Sequence, residues 1–272
     1  STGENVIWKS GNSSTTQAVK IVADLNYVVA GIGDFNGDGK SDILWRNLVG
    51  GSNVIWLSGN VATSQAVTSL ADTNWKIAGI GDFGGDGKAD ILWRNYSNGS
   101  DVIWHSANYA TKQIITGVAD LGWEVVGVGN FNGDTQSDIL WRHSGSGANI
   151  IWFSANNATR QTVTTLSSTA WRVSNVADFN GDGKSDILWR NMLETGANVI
   201  WRSGVSSTPQ SVATVNNLAY LVGGVGDYDG DGKADILWNN SATGGNVIWK
   251  SANTATRQSV STVNNLSWIP SS

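Results

Sequence analysis

The stretch that decides the fold is residues 34–47, DFNGDGKSDILWRN, which returns letter for letter at residues 178–191. Close variants begin at residues 82, 130 and 227, so the stretch occurs five times. Its first nine positions place Asp or Asn at positions 1, 3, 5 and 9, a pattern typical of loops that present oxygen atoms to a metal ion. The Ile-Leu-Trp that follows is a continuous apolar run, which indicates a buried strand.

A second motif, Asn-Val-Ile-Trp or a close variant, recurs in the same step. It begins at residues 5, 53, 101, 149, 198 and 246, with separations of 48, 48, 48, 49 and 48 residues. A fixed period of this length is the signature of a repeat architecture.

Each repeat contains four short apolar segments joined by Gly, Asn and Ser. In the second repeat these are residues 76–83, 90–95, 101–106 and 113–118. A four-stranded antiparallel unit repeated every 40 to 50 residues or so is typical of a β-propeller blade. The sequence therefore predicts an all-β chain in which residues 1–272 form a single propeller domain.

The number of blades is less strongly determined than the fold. Five complete repeats are flanked by two partial ones: residues 1–21 supply only the last two strands of a blade, and residues 266–269 resemble the start of another first strand. We favour six blades, with the last blade shared between the ends of the chain. A five-bladed ring with a spare hairpin is the alternative, and the incomplete blades also offer a route to oligomerisation.

Composition excludes several classes of protein. There is no cysteine, so the chain has no disulfide framework or thiolate metal site. No apolar run is long enough for a membrane span, and the basic residues are scattered, which does not favour insertion into a membrane or nucleic-acid binding. The net charge is −5, and 15 of the 22 acidic residues lie in the five loops. Five divalent cations would add ten charges and change −5 to +5.

The five loops are predicted to bind Ca²⁺, which prefers six to eight oxygen ligands. Positions 1, 3, 5 and 9 of a complete loop offer side-chain oxygens, and position 7 offers its backbone carbonyl. The predicted ligands are Asp34, Asn36, Asp38, Lys40 and Asp42; Asp82, Asp86, Lys88 and Asp90; Asn130, Asn132, Asp134, Gln136 and Asp138; Asp178, Asn180, Asp182, Lys184 and Asp186; and Asp227, Asp229, Asp231, Lys233 and Asp235.

The loops differ in completeness. Those that begin at residues 34, 178 and 227 have every ligand position filled. The second has Gly84 at position 3, and the third has Asn130 at position 1 and Thr135 in place of a glycine, so it keeps only two acids. Asx-rich turns that bind no metal are the alternative interpretation of all five loops.

The loops and their flanking Gly-Asp-Phe and Asp-Ile-Leu-Trp resemble the FG-GAP/VCBS repeats of calcium-binding β-propellers. This repeat type occurs in integrin α-chain heads and in a fungal lectin. The resemblance covers essentially the whole chain. It implies Ca²⁺ between the first two strands of each blade, an extracellular or cell-surface setting, and a role in adhesion or sugar binding.

All 15 tryptophans fall at repeated positions. A large ring at a fixed position in a blade can fill the wedge between blades, or it can stack on a sugar ring while polar neighbours bind the hydroxyl groups. The residues predicted for carbohydrate binding are Trp45, Arg46, Trp93, Arg94, Trp141, Arg142, Trp189, Arg190 and Trp238.

The sequence does not predict an enzyme. It has two histidines, in different repeats, and no unique pair of carboxylates of the kind that a glycosidase uses. We expect a non-enzymatic lectin or sugar-directed adhesin whose sites repeat around the ring and bind glycans or cell-surface glycoconjugates. The alternative is a protein-binding adhesion or scaffold module in which calcium is purely structural.

Overall fold

The computed structural model describes residues 2–268 and 270, and the strands in them form five four-stranded sheets and one two-stranded sheet. In chain order, the strands are β1 (Asn5–Trp8), β2 (Thr16–Val19), β3 (Tyr27–Gly33), β4 (Asp42–Asn47), β5 (Asn53–Trp56), β6 (Ser64–Val67), β7 (Trp75–Gly81), β8 (Asp90–Asn95), β9 (Asp101–Trp104), β10 (Lys112–Ile115), β11 (Trp123–Gly129), β12 (Asp138–His143), β13 (Asn149–Trp152), β14 (Arg160–Val163), β15 (Trp171–Ala177), β16 (Asp186–Asn191), β17 (Asn198–Trp201), β18 (Pro209–Val212), β19 (Tyr220–Gly226), β20 (Asp235–Asn240), β21 (Asn246–Trp249) and β22 (Arg257–Val260). We call β1–β2 the terminal hairpin, and the sheets β3–β6, β7–β10, β11–β14, β15–β18 and β19–β22 blades 1 to 5.

The helical elements in the described residues are single 3₁₀ turns. They are Lys9–Gly11, Leu57–Gly59, Val61–Thr63, His105–Ala107, Tyr109–Thr111, Phe153–Ala155, Arg202–Gly204, Lys250–Ala252 and Thr254–Thr256. No helix in residues 2–268 has the length and apolar character needed to cross a bilayer.

Every blade is an antiparallel meander whose strands pair in chain order. In blade 1 the register between β3 and β4 shifts between Val29 and Gly31, and the same bulge recurs in the other four blades. A bulge inserts an extra residue and increases the local twist. The repeated bulge therefore gives all five blades the same bend.

Glycines in the first strands allow neighbouring blades to approach closely. A Cβ atom on Gly31 would lie 2.5 Å from Cγ1 of Ile80 in the next blade, which is too close for any side chain. The same position is Gly79 in blade 2 and Gly127 in blade 3, whereas blade 4 has Asn175. The first glycine of the Gly-x-Gly pattern is thus required by the close packing of blades 1 to 3 against the blade that follows each of them.

The core consists of separate apolar clusters between adjacent blades, as expected for a propeller. Between blades 1 and 2, for example, Leu44 and Ile55 pack against Ile91 and Trp93. Equivalent clusters lie between blades 2 and 3, 3 and 4, and 4 and 5, and a smaller one joins the terminal hairpin to blade 1.

The preference for six blades, with the last one shared between the chain ends, is corrected by the structure: five blades are complete, and the remaining sheet is a two-stranded hairpin, as the five-bladed alternative anticipated. The terminal hairpin nevertheless lies between blades 5 and 1. A Cβ atom on Gly11 would meet Ile248 of blade 5, and one on Gly59 of blade 1 would meet Ile7 of the hairpin. Ile269, which was expected to continue a further first strand, lies outside the described residues.

Candidate metal centres and the blade interfaces

The acid at position 1 of a loop organises the loop backbone. Oδ1 of Asp34 accepts hydrogen bonds from the N–H groups of Gly37 (2.7 Å) and Asp38 (3.1 Å), and Oδ2 accepts one from Gly39 (2.7 Å). The loops of blades 2, 4 and 5 repeat this arrangement. The N–H of Gly232, with three further N–H groups, lowers the pKa of Asp227.

Position 9 is a buried carboxylate that joins the loop to the end of the third strand. Oδ2 of Asp42 accepts the N–H of Phe35 (2.9 Å), and Oδ1 accepts the N–H of Ser58 (2.8 Å). Ser58 has a positive φ of 49°, and the corresponding serines of the other blades share it. The loop motif predicts Asp42 as a metal ligand but not this second role, although a serine stands at a fixed distance after each Ile-Trp and is a signal for it.

Burial changes the acidity of the position 9 carboxyls. It raises the pKa of Asp138 and of Asp186 to about 6, and neighbouring acids in the same loops add to the effect. The pKa of Asp235 is raised for the same reasons. A divalent cation beside these groups would oppose the increase, because it favours their ionised form.

The loop of blade 5 brings three acids together. One carboxylate oxygen from each of Asp227, Asp229 and Asp235 lies within 4.8 Å of the others, a convergence found at no other loop in the described residues. Nζ of Lys250 lies 3.3 Å from Asp229, and the hydroxyl of Ser251 donates to Asp231 at 2.9 Å. An all-oxygen donor set of this kind fits Ca²⁺.

The two incomplete loops, in blades 2 and 3, differ from the other loops at the positions where their sequences depart from the motif. In blade 2, the space that a side chain at Gly84 would occupy is bordered by His105, whose Nδ1 lies 2.9 Å from Asp90. In blade 3, Asn130 accepts the N–H of Gly133 at 2.7 Å, as the position 1 acid does elsewhere. Asn130 adds no negative charge, so this loop attracts a cation less strongly than the four loops that have Asp at position 1.

Residues at position 7 extend toward the preceding loop. The carbon chain of Lys88 lies beside Gly37, and Lys184 and Lys233 lie beside the corresponding glycines of blades 3 and 4. In the same position, Nε2 of Gln136 donates to the carbonyl of Phe83 at 2.9 Å. Lys40 instead forms an exposed ion pair with Asp38 at 3.6 Å. The position 7 side chains of blades 2 to 5 therefore contact the preceding loop, in addition to standing at a predicted ligand position.

The backbone also connects consecutive loops. The carbonyl of Asp34 in blade 1 accepts the N–H of Ala89 in blade 2 at 2.7 Å. The same bond joins Asp82 to Ser137, Asn130 to Ser185, and Asp178 to Ala234. All five loops thus lie in a continuous row along one side of the propeller.

The structure corrects the expectation that the Ile-Leu-Trp tryptophans and the following arginines form sugar platforms. Trp45, Trp93, Trp141, Trp189 and Trp238 are at most 3% exposed, and Arg46, Arg94, Arg142 and Arg190 are at most 4% exposed. A ring that a sugar cannot reach cannot stack on it. These residues form the interfaces between blades, which the other interpretation of the tryptophans anticipated.

Each buried arginine joins its own blade to the next one. The guanidinium of Arg46 lies 4.8 Å from the ring centroid of Trp93 and donates to the carbonyls of Leu70 (3.2 Å) and Trp75 (3.0 Å). Arg94, Arg142 and Arg190 lie in the same way over Trp141, Trp189 and Trp238. A desolvated cation over an indole ring stabilises such an interface.

One interface leaves an aromatic cleft open to solvent. Between blades 4 and 5, a cleft of about 370 Å³ is lined by Tyr220, Trp238 and Trp249, together with Arg257 and Ser259. Trp249 is partly exposed, whereas its counterparts in blades 1 to 4, such as Trp201, are buried. The sequence does not distinguish Trp249, because all six Val-Ile-Trp tryptophans occupy the same repeat position.

The comparisons with known proteins agree with this architecture. Residues 34–93 and 130–189 match the family model described as FG-GAP-like repeat. The chain is a β-propeller that contains FG-GAP-like repeats. The family and fold expected from the loop motif are thereby confirmed. Among curated proteins, none matches the sequence.

Several solved structures are similar to this FG-GAP propeller. One is an Agrocybe aegerita lectin, described by its specific recognition of non-reducing terminal N-acetylglucosamine, with a TM-score of 0.59 and 15% identity over 94% of this chain and 74% of the lectin. Another is a Staphylococcus aureus virginiamycin B lyase, with a TM-score of 0.48 and 7% identity over 93% and 75% of the two chains. A third is the V. cholerae biofilm matrix protein Bap1, with a TM-score of 0.37 and 16% identity over 100% and 44%.

Proposed function

We propose that this FG-GAP propeller is a non-enzymatic carbohydrate-binding module that acts outside the cell. The observation that carries the proposal is the open aromatic cleft between blades 4 and 5. Sugar sites combine an apolar platform with a few placed polar groups. The partly exposed Trp249 supplies the platform, and Arg257 and Ser259 supply polar groups at the same opening.

The likeness to the Agrocybe aegerita lectin supports a binding role at the level of the fold. Because the equivalent tryptophans of blades 1 to 4 are covered, we propose one open site in place of sites repeated around the ring.

A glycan array tests this proposal. The labelled protein should bind one class of sugar, and Arg257→Ala should weaken that binding at least tenfold. The matched control is Arg160→Ala, which removes the corresponding residue of blade 3 without touching the cleft. A blank array with folded protein would favour the alternative, a protein-binding module with structural calcium.

We further propose that Ca²⁺ binds the loops, with the loop of blade 5 as the strongest site. Asp227, Asp229 and Asp235 would hold the ion there, and its charge would offset the repulsion among the three carboxylates. Bound calcium would hold the loop and the row of neighbouring loops in one conformation.

Calcium stoichiometry tests this second proposal. Calorimetric titration of the wild type and of Asp229→Ala should show that the variant loses one binding event. Asp24→Asn, which changes an exposed acid outside the loops, should bind as many ions as the wild type. Equal stoichiometry in all three proteins would remove blade 5 from the list of sites.

A further inference from the structure

The four complete blade interfaces share one set of contacts. The second strand of the later blade presents its Trp to the arginine of the earlier blade, as Trp93 does to Arg46. It also lies beside the third strand of its own blade, where the rings of Trp93 and Trp104 are 4.9 Å apart. A second strand therefore fills the wedge between two blades.

Blade 5 lacks these contacts on the side that faces the terminal hairpin. Leu237 and Tyr228 are partly exposed there, whereas their counterparts in blades 1 to 4, such as Leu44 and Phe35, are buried. A Cβ atom on Gly226 would meet nothing among the described residues within 4 Å. Pro270 lies beside Gly223 in β19. Around Leu237 and Tyr228, the side of blade 5 next to the hairpin is an apolar surface that the described residues leave without the usual cover.

The residue that would bind an incoming Trp has also changed. Blade 5 has Asn239 where the other blades have arginine, and its amide donates to Asn246 within the same blade at 2.8 Å. This substitution occurs at the one blade that has no second strand beside it in the described residues. The loss of the arginine and the lack of a neighbouring second strand therefore occur in the same blade.

The terminal hairpin supplies the other wall of the groove. In the described residues β1 pairs with β2 alone, so the edge of β1 that would face a second strand is unpaired. Its residues, from Asn5 to Trp8, carry no charge, although exposed edges usually carry one to prevent pairing with another chain. Trp8 is partly exposed, whereas Trp56 at the same position in blade 1 is buried.

We propose that blade 5 and β1 form an acceptor groove for an extended strand of the Asp-Ile-Leu-Trp type from another polypeptide. The strand pairs antiparallel with β1, in the register that β4 adopts on β5, so that its Leu lies opposite Ile7 and its Trp opposite Val6. Main-chain hydrogen bonds to β1 provide affinity, and the alternating side chains fill the apolar surface around Leu237. We choose this occupant because strands of the same type fill the corresponding place in each of the four complete interfaces.

A labelled synthetic peptide tests the groove. The probe is Ser-Asp-Ile-Leu-Trp-Arg-Asn, the sequence of residues 185–191, and its binding to the 272-residue chain is followed by fluorescence anisotropy. We expect saturable binding of one peptide per chain and slower amide hydrogen exchange in β1. A peptide with Ser at the Ile and Trp positions should bind at least tenfold more weakly.

Two variants make the test specific. Asn239→Arg restores the cation that lies over the incoming Trp and should tighten binding roughly five-fold. Val6→Lys places a charge on the exposed part of β1 and should abolish binding, whereas Val49→Lys, at a remote position that is 71% exposed, should have no effect. Circular dichroism checks that each variant is folded. Absence of binding at millimolar peptide, or equal binding by all variants and by the serine peptide, would overturn the proposal.

Discussion

At the scale of the residue, the side chain that accepts a hydrogen bond from the buried arginine differs in charge between repeats. Nη1 of Arg46 donates to the amide oxygen of Asn53 at 3.0 Å. In blade 2 the same position is Asp101, and Arg94 forms a buried ion pair with it at 2.9 Å. The interface geometry is the same, but one of the two partners in blade 2 can titrate.

Asp101→Asn should change how stability depends on pH. Burial raises the pKa of Asp101 to about 6, although Arg94 opposes the increase. Because the folded chain holds a proton that the unfolded chain, with a pKa of about 3.9, has released, this site's contribution to the free energy of unfolding is lost as the pH rises from about 4 to about 6. The variant should gain about 2 kcal/mol over the wild type at pH 7 relative to pH 4.5. Thermal unfolding at both pH values measures this, with Asp24→Asn as control, and parallel pH profiles would contradict it.

Arg142→Ala should be strongly destabilising. The guanidinium donates to the carbonyls of Gly147 (3.0 Å), Leu166 (2.9 Å) and Trp171 (3.2 Å) and lies over Trp189. Its removal leaves buried acceptors without a donor, which should lower the free energy of unfolding by about 3 kcal/mol. Chemical denaturation measures the loss. The exposed Arg172→Ala should change it by less than about 0.5 kcal/mol, and a similar value for both variants would refute the assigned role.

At the scale of the element, the first strands depend on what lies next to them. Gly129 and Gly226 end the first strands of blades 3 and 5. A Cβ atom on Gly129 would lie 2.8 Å from Cγ1 of Val176, whereas one on Gly226 would meet nothing among the described residues. The same residue is therefore required for packing in one blade and is free of that requirement in the other.

Substitution of these two glycines should affect the stability of blades 3 and 5 to different extents. Gly129→Ala overpacks the interface between blades 3 and 4 and should cost about 1 to 3 kcal/mol. Gly226→Ala should stay within about 0.5 kcal/mol of the wild type. Both values come from urea denaturation of the folded chain. If Gly226→Ala costs as much as Gly129→Ala, a further segment packs directly against Gly226.

At the scale of the whole molecule, charge and loop connections act together. The loops contain most of the acidic residues, and backbone hydrogen bonds join the loops of blades 1 to 5 in a row. Removal of calcium by a chelator should lower the melting temperature, since an ion that binds only the folded state contributes about 2.7 kcal/mol when present at 100 times its Kd. Differential scanning calorimetry with and without chelator measures the shift, and an unchanged melting temperature would exclude a structural role for calcium.

The sequence predicted much of this propeller because the repeat samples the same pattern five times. The loops at residues 34 and 178 are identical in sequence, and each is followed by a strand with the same bounds relative to the loop. The candidate sugar residues could not be predicted in the same way. Identical letters at Trp201 and Trp249 have different exposure, because exposure depends on what packs over each ring.

The sequence by itself determined the propeller blade, its period and the oxygen-rich loops, because local spacing of apolar, acidic and glycine residues is enough to specify them. Only the tertiary structure decided which tryptophans are buried and that the second-strand arginines are interface residues. It also decided that the terminal hairpin lies between blades 5 and 1 as a two-stranded sheet. These features arise from contacts between residues far apart in the chain, and a local pattern that repeats cannot tell one blade's neighbours from another's.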